Sequence, residues 1–250
     1  MEPNINKMAV SEKYDRIGST RCFGVEIETD RCDNYLSVNQ DYWGTHYDMT
    51  CMAEEFVSAI LNGNDGLAAI EDLLGFANKN DWRVGQTCGL HVHINVSSET
   101  VDSLKAIALA YQTSYFVWAQ FIKSSRLDDT YCSAKEDSCA ALSSVKSRND
   151  WDHYAFSNTR YSWLNWQAFE KHGTCEVRCH EGTLDPSKVV NWVRAHTVFV
   201  SWAARTGFVG VRAALWGRTH SEKCTKLAEI WEDAGCGDLV AYYKEMTCAV

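Results

Sequence analysis

Three short stretches of the chain alternate apolar and ionisable residues with the period of two that a β-strand imposes on its side chains. In the first, Phe23, Val25 and Ile27 fall on one face, leaving Glu26 and Glu28 on the other. In the second, Leu90, Val92, Ile94 and Val96 form an apolar row opposite His91, His93 and Asn95. In the third, Val177 sits with Cys175 and Cys179, and Glu176, Arg178 and His180 are expected on the alternate face. Three strands that are apolar on one side and ionisable on the other predict a sheet with a packed back and a chemically loaded front.

Elsewhere the apolar spacing is helical. Leu67, Ile70, Leu73, Leu74 and Ala77 mark a helix over 65–79, preceded by the break Asn62-Gly63-Asn64-Asp65-Gly66. After the histidine strand, Ser97 or Ser98 is expected to cap a long helix reaching about Lys123, with Leu104, Ile107, Ala108, Tyr111, Tyr115 and Trp118 as its buried stripe. Asp185-Pro186 reads as N-cap and first position of another long helix running towards Leu215, because proline fits where no backbone donor is needed. A last helical pair is expected over 220–248. Residues 54–61 suit either a strand or a helix, 82–85 suggest a short strand, and the Ser/Asp-rich residues 124–150 suggest a helix, a mobile lid or both. Residues 1–20 are polar and aperiodic, so they are expected to form a flexible arm ahead of one catalytic domain over 21–250. The fold class expected is α+β: a mostly antiparallel sheet backed by long helices.

Composition narrows the function classes. The 250 residues are 46 % hydrophobic, enough for a substantial core, and a formal charge of −9 argues against a broad nucleic-acid surface. No apolar run approaches the roughly 20 residues of a membrane span, and the first residues lack the apolar segment of a signal peptide. A cytoplasmic location is the expectation. Eleven cysteines, an odd number with no Cys-x-x-Cys pair, point to reduced thiols.

Glu26 and Glu28 project from one strand face about 6–7 Å apart, where two carboxylates repel unless a cation lies beside them. Such oxygen ligands suit Mg²⁺ or Mn²⁺. A His-x-His strand occurs on solvated sheet faces and also holds zinc in hydrolases, and Glu-x-Arg is commonly a surface ion pair. Their joint appearance, each in correct alternation, points to a metal-and-anion face. No Gly-x-x-x-x-Gly-Lys-Ser/Thr loop is present, so phosphate would have to be held by metals and side chains.

The order Gly24-Val-Glu-Ile-Glu28, Cys88-Gly-Leu-His-Val-His-Ile94, Arg160-Tyr-x-x-x-Asn165 and Cys175-Glu-Val-Arg-x-x-Glu-Gly-Thr-Leu-Asp185 resembles the putative amidoligase family. The resemblance spans roughly residues 20–200. It implies a glutamine synthetase-like fold and an ATP-dependent carboxylate–amine ligase acting through an acyl phosphate and forming ADP. Carried over residue by residue, it implies that Glu26, His91 and Glu176 bind one metal and Glu28 another, with Glu55 as a second carboxylate for it. It further implies that His93 and Arg178 contact nucleotide phosphates and that Arg160 neutralises the transferring phosphoryl group. Glu181 would position the substrate amine or simply cap a turn. The Asp-Gly-Ser usual in such families stands here as Asp48-Met-Thr, lacking the Gly and Ser. Two rival readings stay open: a metal-dependent hydrolase using His91, His93 and a glutamate without nucleotide, and a non-catalytic nucleotide-binding relative. The carboxylate-bearing and amine-bearing substrates are unidentified and the oligomeric state is open, although synthetase-like sites are sometimes completed by a neighbouring subunit.

Overall fold

The computed structural model describes residues 16–48, 53–127, 129–133 and 139–248. Six strands form one antiparallel sheet: β1 (Phe23–Thr29), β2 (Trp43–Asp48), β3 (Ala53–Ser58), β4 (Gly89–Asn95), β5 (Leu164–Asn165) and β6 (Thr174–Glu181). Their spatial order is β2-β3-β1-β4-β6-β5. The strand-or-helix choice over 54–61 resolves as strand, because Phe56 is fully buried while its neighbours pair with both β1 and β2. Residues 82–85, by contrast, make only an isolated bridge from Arg83 to Arg31.

The alternation works as physics demands on the back of the sheet. Phe23, Val25 and Ile27, with Leu90, Val92 and Ile94, are at most 2 % exposed. They share one hydrophobic core with α1 (Gly63–Lys79), α2 (Val101–Ala119) and α6 (Pro186–Leu215). At roughly 25 cal/mol per Å² of apolar surface, this burial is the main force holding the helices to the sheet. The cap of α2 is Thr100, not Ser97 or Ser98: its hydroxyl accepts the Ser103 N–H at 3.1 Å. Asp185 caps α6 as its sequence position predicts, accepting the N–H of Ser187 at 2.9 Å. Inside α6 the backbone leaves helical geometry at Gly207, where φ is 72°. Asp102 of α2 accepts the freed N–H of Phe208 at 3.0 Å, so the helix bends without stranding a donor.

Residues 124–150 contain a 3₁₀ turn (Ser124–Arg126), α3 (Cys139–Ser144) and the start of α4 (Arg148–Ser157), with Ser147 and Asp150 forming a capping box for α4. Residues 128 and 134–138 of the expected lid lie outside the described residues. So do residues 1–15 of the expected arm, whereas Ile17 is fully buried. After α4 and β5, the five-residue α5 (Ala168–His172) turns the chain into β6 through Gly173, whose φ of 66° suits the left-handed position. The chain ends in α7 (His220–Asp233) and α8 (Gly237–Cys248), the expected pair. No helix among the described residues is long and apolar enough to cross a membrane.

Candidate metal centre

Strand register assembles the front face. Glu26 stands opposite His91 and Gly24 opposite His93 across β1 and β4. His93 stands opposite Glu176 across β4 and β6, and Glu176 opposite Asn165 across β6 and β5. On the other side, Glu28 faces Glu55, which in turn faces His46 of β2. Directly opposite side chains lie about 4.5–5.5 Å apart at their β-carbons, which puts these carboxylates, imidazoles and the amide within reach of one another.

Glu26 is the hub. Its Oε2 lies 3.0 Å from His91 Nδ1 and its Oε1 3.1 Å from His93 Nε2. Glu176 Oε1 is 3.7 Å from His91 Nδ1 and 3.9 Å from His93 Nε2. The guanidinium of Arg178 donates to that same oxygen, and its Nη1 is 3.5 Å from His91 Nδ1. Asn165 Nδ2 donates to the other Glu176 oxygen at 2.6 Å, and Thr174 Oγ1 is 2.9 Å from His93 Nδ1. Burial disfavours the charge on Glu26, yet hydrogen bonds to His91 and His93 and their positive charge outweigh it and hold the carboxyl well below its usual range. For His93 burial likewise opposes charge, and the Glu26 hydrogen bond with the Glu176 and Glu26 charges wins, raising its pKa. Arg178 is held charged against burial by Glu176.

Two groups of three side chains converge closely enough to share a cation: Glu26, His93 and Glu176, and Glu26, Glu55 and His91. In each, three ligand atoms lie within 4.8 Å of one another. Carboxylate oxygens mixed with imidazole nitrogens suit Mn²⁺ or Mg²⁺, so the donor chemistry of each group fits a divalent ion, and Glu26 is common to both groups. Glu28 is outside both groups. It is 4 % exposed, accepts the Gly89 N–H at 2.5 Å and lies 3.8 Å from His91 Nε2. Glu55 meets His46.

The cluster floors a cleft of about 450 Å³ whose far wall is built from α4, the turn after it and α5. Arg178, Arg160 and Lys171 line it, and the half-exposed Tyr47 and largely exposed Phe156 stand at its edge. Arg160 is exposed, with its guanidinium 5.1 Å from the centre of the Tyr161 ring. Glu181 does not line the cleft. It accepts the Lys123 N–H at 3.1 Å, tying the segment after α2 to β6, which favours the turn-fixing side of the choice open for it. The Asp48 side chain lies outside the described residues.

One strand departs from simple alternation. Between Leu90 and Val92 the β4–β6 register slips, so that Arg178 and Cys179 both stand against His91. This bulge sends His180 to the back of the sheet opposite Leu90, not to the front beside Arg178 as alternation predicts. There it is buried against the Trp192 ring of α6, at 4.8 Å between centroids. Cys175 and Cys179 are fully buried, and burial pushes the Cys175 thiol up to about 12. Sequence patterns did not mark His46, Thr174 or His172. His172 lines the cleft with its ring edge-on to His93 at 5.7 Å, and burial followed by the nearby His93 charge lowers its pKa. Asn165 stood in a family motif without a role.

No curated protein matches the chain. A family profile described as "putative amidoligase enzyme" matches residues 29–200, a span that includes β2 through β6 and begins just past Glu26 and Glu28. The part played by those two glutamates therefore rests on geometry, while His91, His93, Arg160, Asn165, Glu176 and Arg178 fall within the match. With more than half of its 250 residues covered, the chain belongs to the putative amidoligase family.

Proposed function

We propose that the protein is an ATP-dependent carboxylate–amine ligase that forms an amide or isopeptide bond through an acyl phosphate and releases ADP. The observation that carries this reading is Glu26 serving two ligand groups at once, with the Arg178 guanidinium beside them at the floor of a cleft that Arg160 and Lys171 also line. A carboxylate is a poor electrophile and needs activation. Two divalent ions, Mg²⁺ or Mn²⁺, would supply charge neutralisation for a polyphosphate and align it for in-line transfer. Glu26, His93 and Glu176 would hold one ion, and Glu26, Glu55 and His91 the other.

The remaining work falls to the chain's own residues. A substrate carboxylate oxygen bonds to the γ-phosphorus of ATP while the bond to the β-phosphate oxygen breaks, and ADP leaves. The amine nitrogen then attacks the acyl carbon, expels phosphate and loses a proton. Negative charge gathers on the moving phosphoryl group in the first step, where Arg178 and Arg160 can hydrogen-bond it with fixed charge. Asn165 and Thr174 act at one remove, fixing Glu176 and orienting the His93 ring.

The test is incubation of the purified protein with Mg²⁺, ATP and a cell extract, with mass spectrometry for a condensation product and chromatography of the nucleotide. A product formed with stoichiometric ADP supports the reading. AMP in place of ADP would show an adenylate route, and turnover without any ATP would favour a hydrolase.

A further inference from the structure

A second cavity, of about 500 Å³, adjoins the first cleft through Glu26, His93 and His172, which line both. Its chemistry differs. Its floor is Gly24 with Val57 and Ala59 beside it, Ile60 stands half-exposed at its rim, and the neutral Ser58 and Thr174 supply polar atoms. Among the described residues no Lys or Arg lines it, whereas Arg160, Lys171 and Arg178 all line the first cleft. The hollow follows from the sequence: Gly24 contributes no side chain where its neighbours on the front face contribute carboxylates and imidazoles.

A nucleotide polyphosphate needs those cations, and the exposed ring of Phe156 offers a face for its base, so a nucleotide is confined to the first cleft. Two reactants remain, the acyl donor and the amine, and with Glu26 committed to the proposed cations the junction of the two cavities would present positive charge, which attracts a carboxylate and repels a protonated amine. Resting on the ligase reading for the identity of the reacting group, we propose that this cavity binds the acyl donor, and that the donor is a monocarboxylate with an uncharged, largely apolar body. The body would lie over Gly24, Val57 and Ala59, placing the carboxylate beside His93 and His172 where the two cavities meet. A donor with a second charge at its far end has no partner there, because an unpaired charge is costly in an apolar site.

Calorimetric titration tests this in the presence of Mg²⁺ and a non-hydrolysable ATP analogue. Hexanoate and 4-phenylbutanoate serve as monocarboxylates, and adipate as the dicarboxylate of hexanoate's length. At least one monocarboxylate should bind at least about tenfold more tightly than adipate, a difference of about 1.4 kcal/mol. Two variants obstruct the cavity and replace no proposed ligand. A β-carbon at Gly24 would meet nothing nearer than Ser58 Oγ at 3.6 Å and His93 Cβ at 3.7 Å, so Gly24→Val fits the strand and fills the floor. Ile60→Glu places a charge at the exposed rim and is the safer fold. Each should weaken monocarboxylate binding at least about tenfold while leaving affinity for the ATP analogue within about twofold.

The proposal is overturned by adipate binding as well as the monocarboxylates, by neither monocarboxylate binding, by both folded variants binding them normally, or by the variants losing the ATP analogue in parallel. With ATP in place of the analogue, hydroxylamine, which captures an acyl phosphate as a hydroxamate, separates this proposal from the one it rests on. Selective binding without hydroxamate formation would leave the cavity assignment standing and refute the ligase chemistry.

Discussion

Replacing Asn165 by alanine removes the amide that reaches Glu176 Oε2 at 2.6 Å and leaves every proposed ligand in place. If Glu176 holds a cation, the amide fixes the ligand's orientation, and losing such an outer partner typically weakens metal affinity about 10–100-fold. The size of the effect can be worked out. At a metal concentration about 100 times Kd, binding stabilises the native protein by about 2.7 kcal/mol. For a domain of this size that raises the melting temperature by about 5–10 °C. In the variant the same metal concentration is only about 1–10 times Kd, so the stabilisation falls to about 0.4–1.4 kcal/mol and the shift to about 1–5 °C. The assay is thermal unfolding with chelator and then with Mn²⁺ or Mg²⁺, comparing each protein with itself. The variant also loses a hydrogen bond to a buried carboxylate, which lowers its melting temperature under both conditions and cancels from the difference. An unchanged metal-induced shift in Asn165→Ala would refute the placement of a cation on Glu176.

Arg178→Ala should fold and retain a metal-induced shift but lose about 10²–10³-fold in ADP formation with the correct substrate, the usual cost of removing one donor to developing charge; full activity would remove Arg178 from the transfer step. In chelator-treated protein, the stability gained from the raised pKa of His93 is complete below about 6.5 and is lost as pH rises through the higher folded-state value. The lowered pKa of Glu26 stabilises above about 4.5, and that contribution is lost as pH falls through the folded-state value. Urea midpoints should therefore decline above pH 6.5, and His93→Gln should flatten that decline; an equal decline in the variant would place its source elsewhere. Gly207→Ala should destabilise by about 1–3 kcal/mol, because φ 72° with ψ 168° is a backbone conformation essentially confined to glycine. Its new β-carbon would also fall 2.7 Å from Asp102 Oδ2, and a denaturation curve matching the wild type would contradict that strain.

The strands carrying the centre were legible because each is half-buried, and half-burial forces the period of two that makes Glu26, Glu28, His91, His93 and Glu176 visible as a set. The long helices were legible for the matching reason, since their buried stripes repeat at helical spacing. Legibility failed where structure depends on a neighbour that sequence does not name. His180 is sent to the back by the bulge opposite His91, which its own sequence does not announce. The Ser147/Asp150 capping box was present, but α4 is too polar to show a stripe, and α5 has only five residues. His46 and His172 reach the centre through pairing and packing respectively, with no local pattern around either. Which ligand-type side chains converge is likewise a matter of register: His93 groups with Glu26 and Glu176, and His91 with Glu26 and Glu55, a partition that residue spacing along the chain cannot express.

The position of β1 between β3 and β4 has a consequence for how the protein folds. Its two partners follow it in the chain, and the strand carrying Glu176 and Arg178 follows only after α2, α3, α4, the edge strand β5 and α5. No uninterrupted stretch shorter than 26–178 contains the cluster, so its closure must wait for contacts of long sequence separation, which form slowly because loop entropy is spent before they reward it. Glu28 meets Glu55 when β1 pairs with β3, whereas Glu26 and Glu176 come together only when β1, β4 and β6 have zipped, so the repulsion between those last two opposes the late pairing. A cation that relieves this repulsion would accelerate the last step and leave the first collapse untouched, a separation that refolding kinetics with and without Mn²⁺ would display directly.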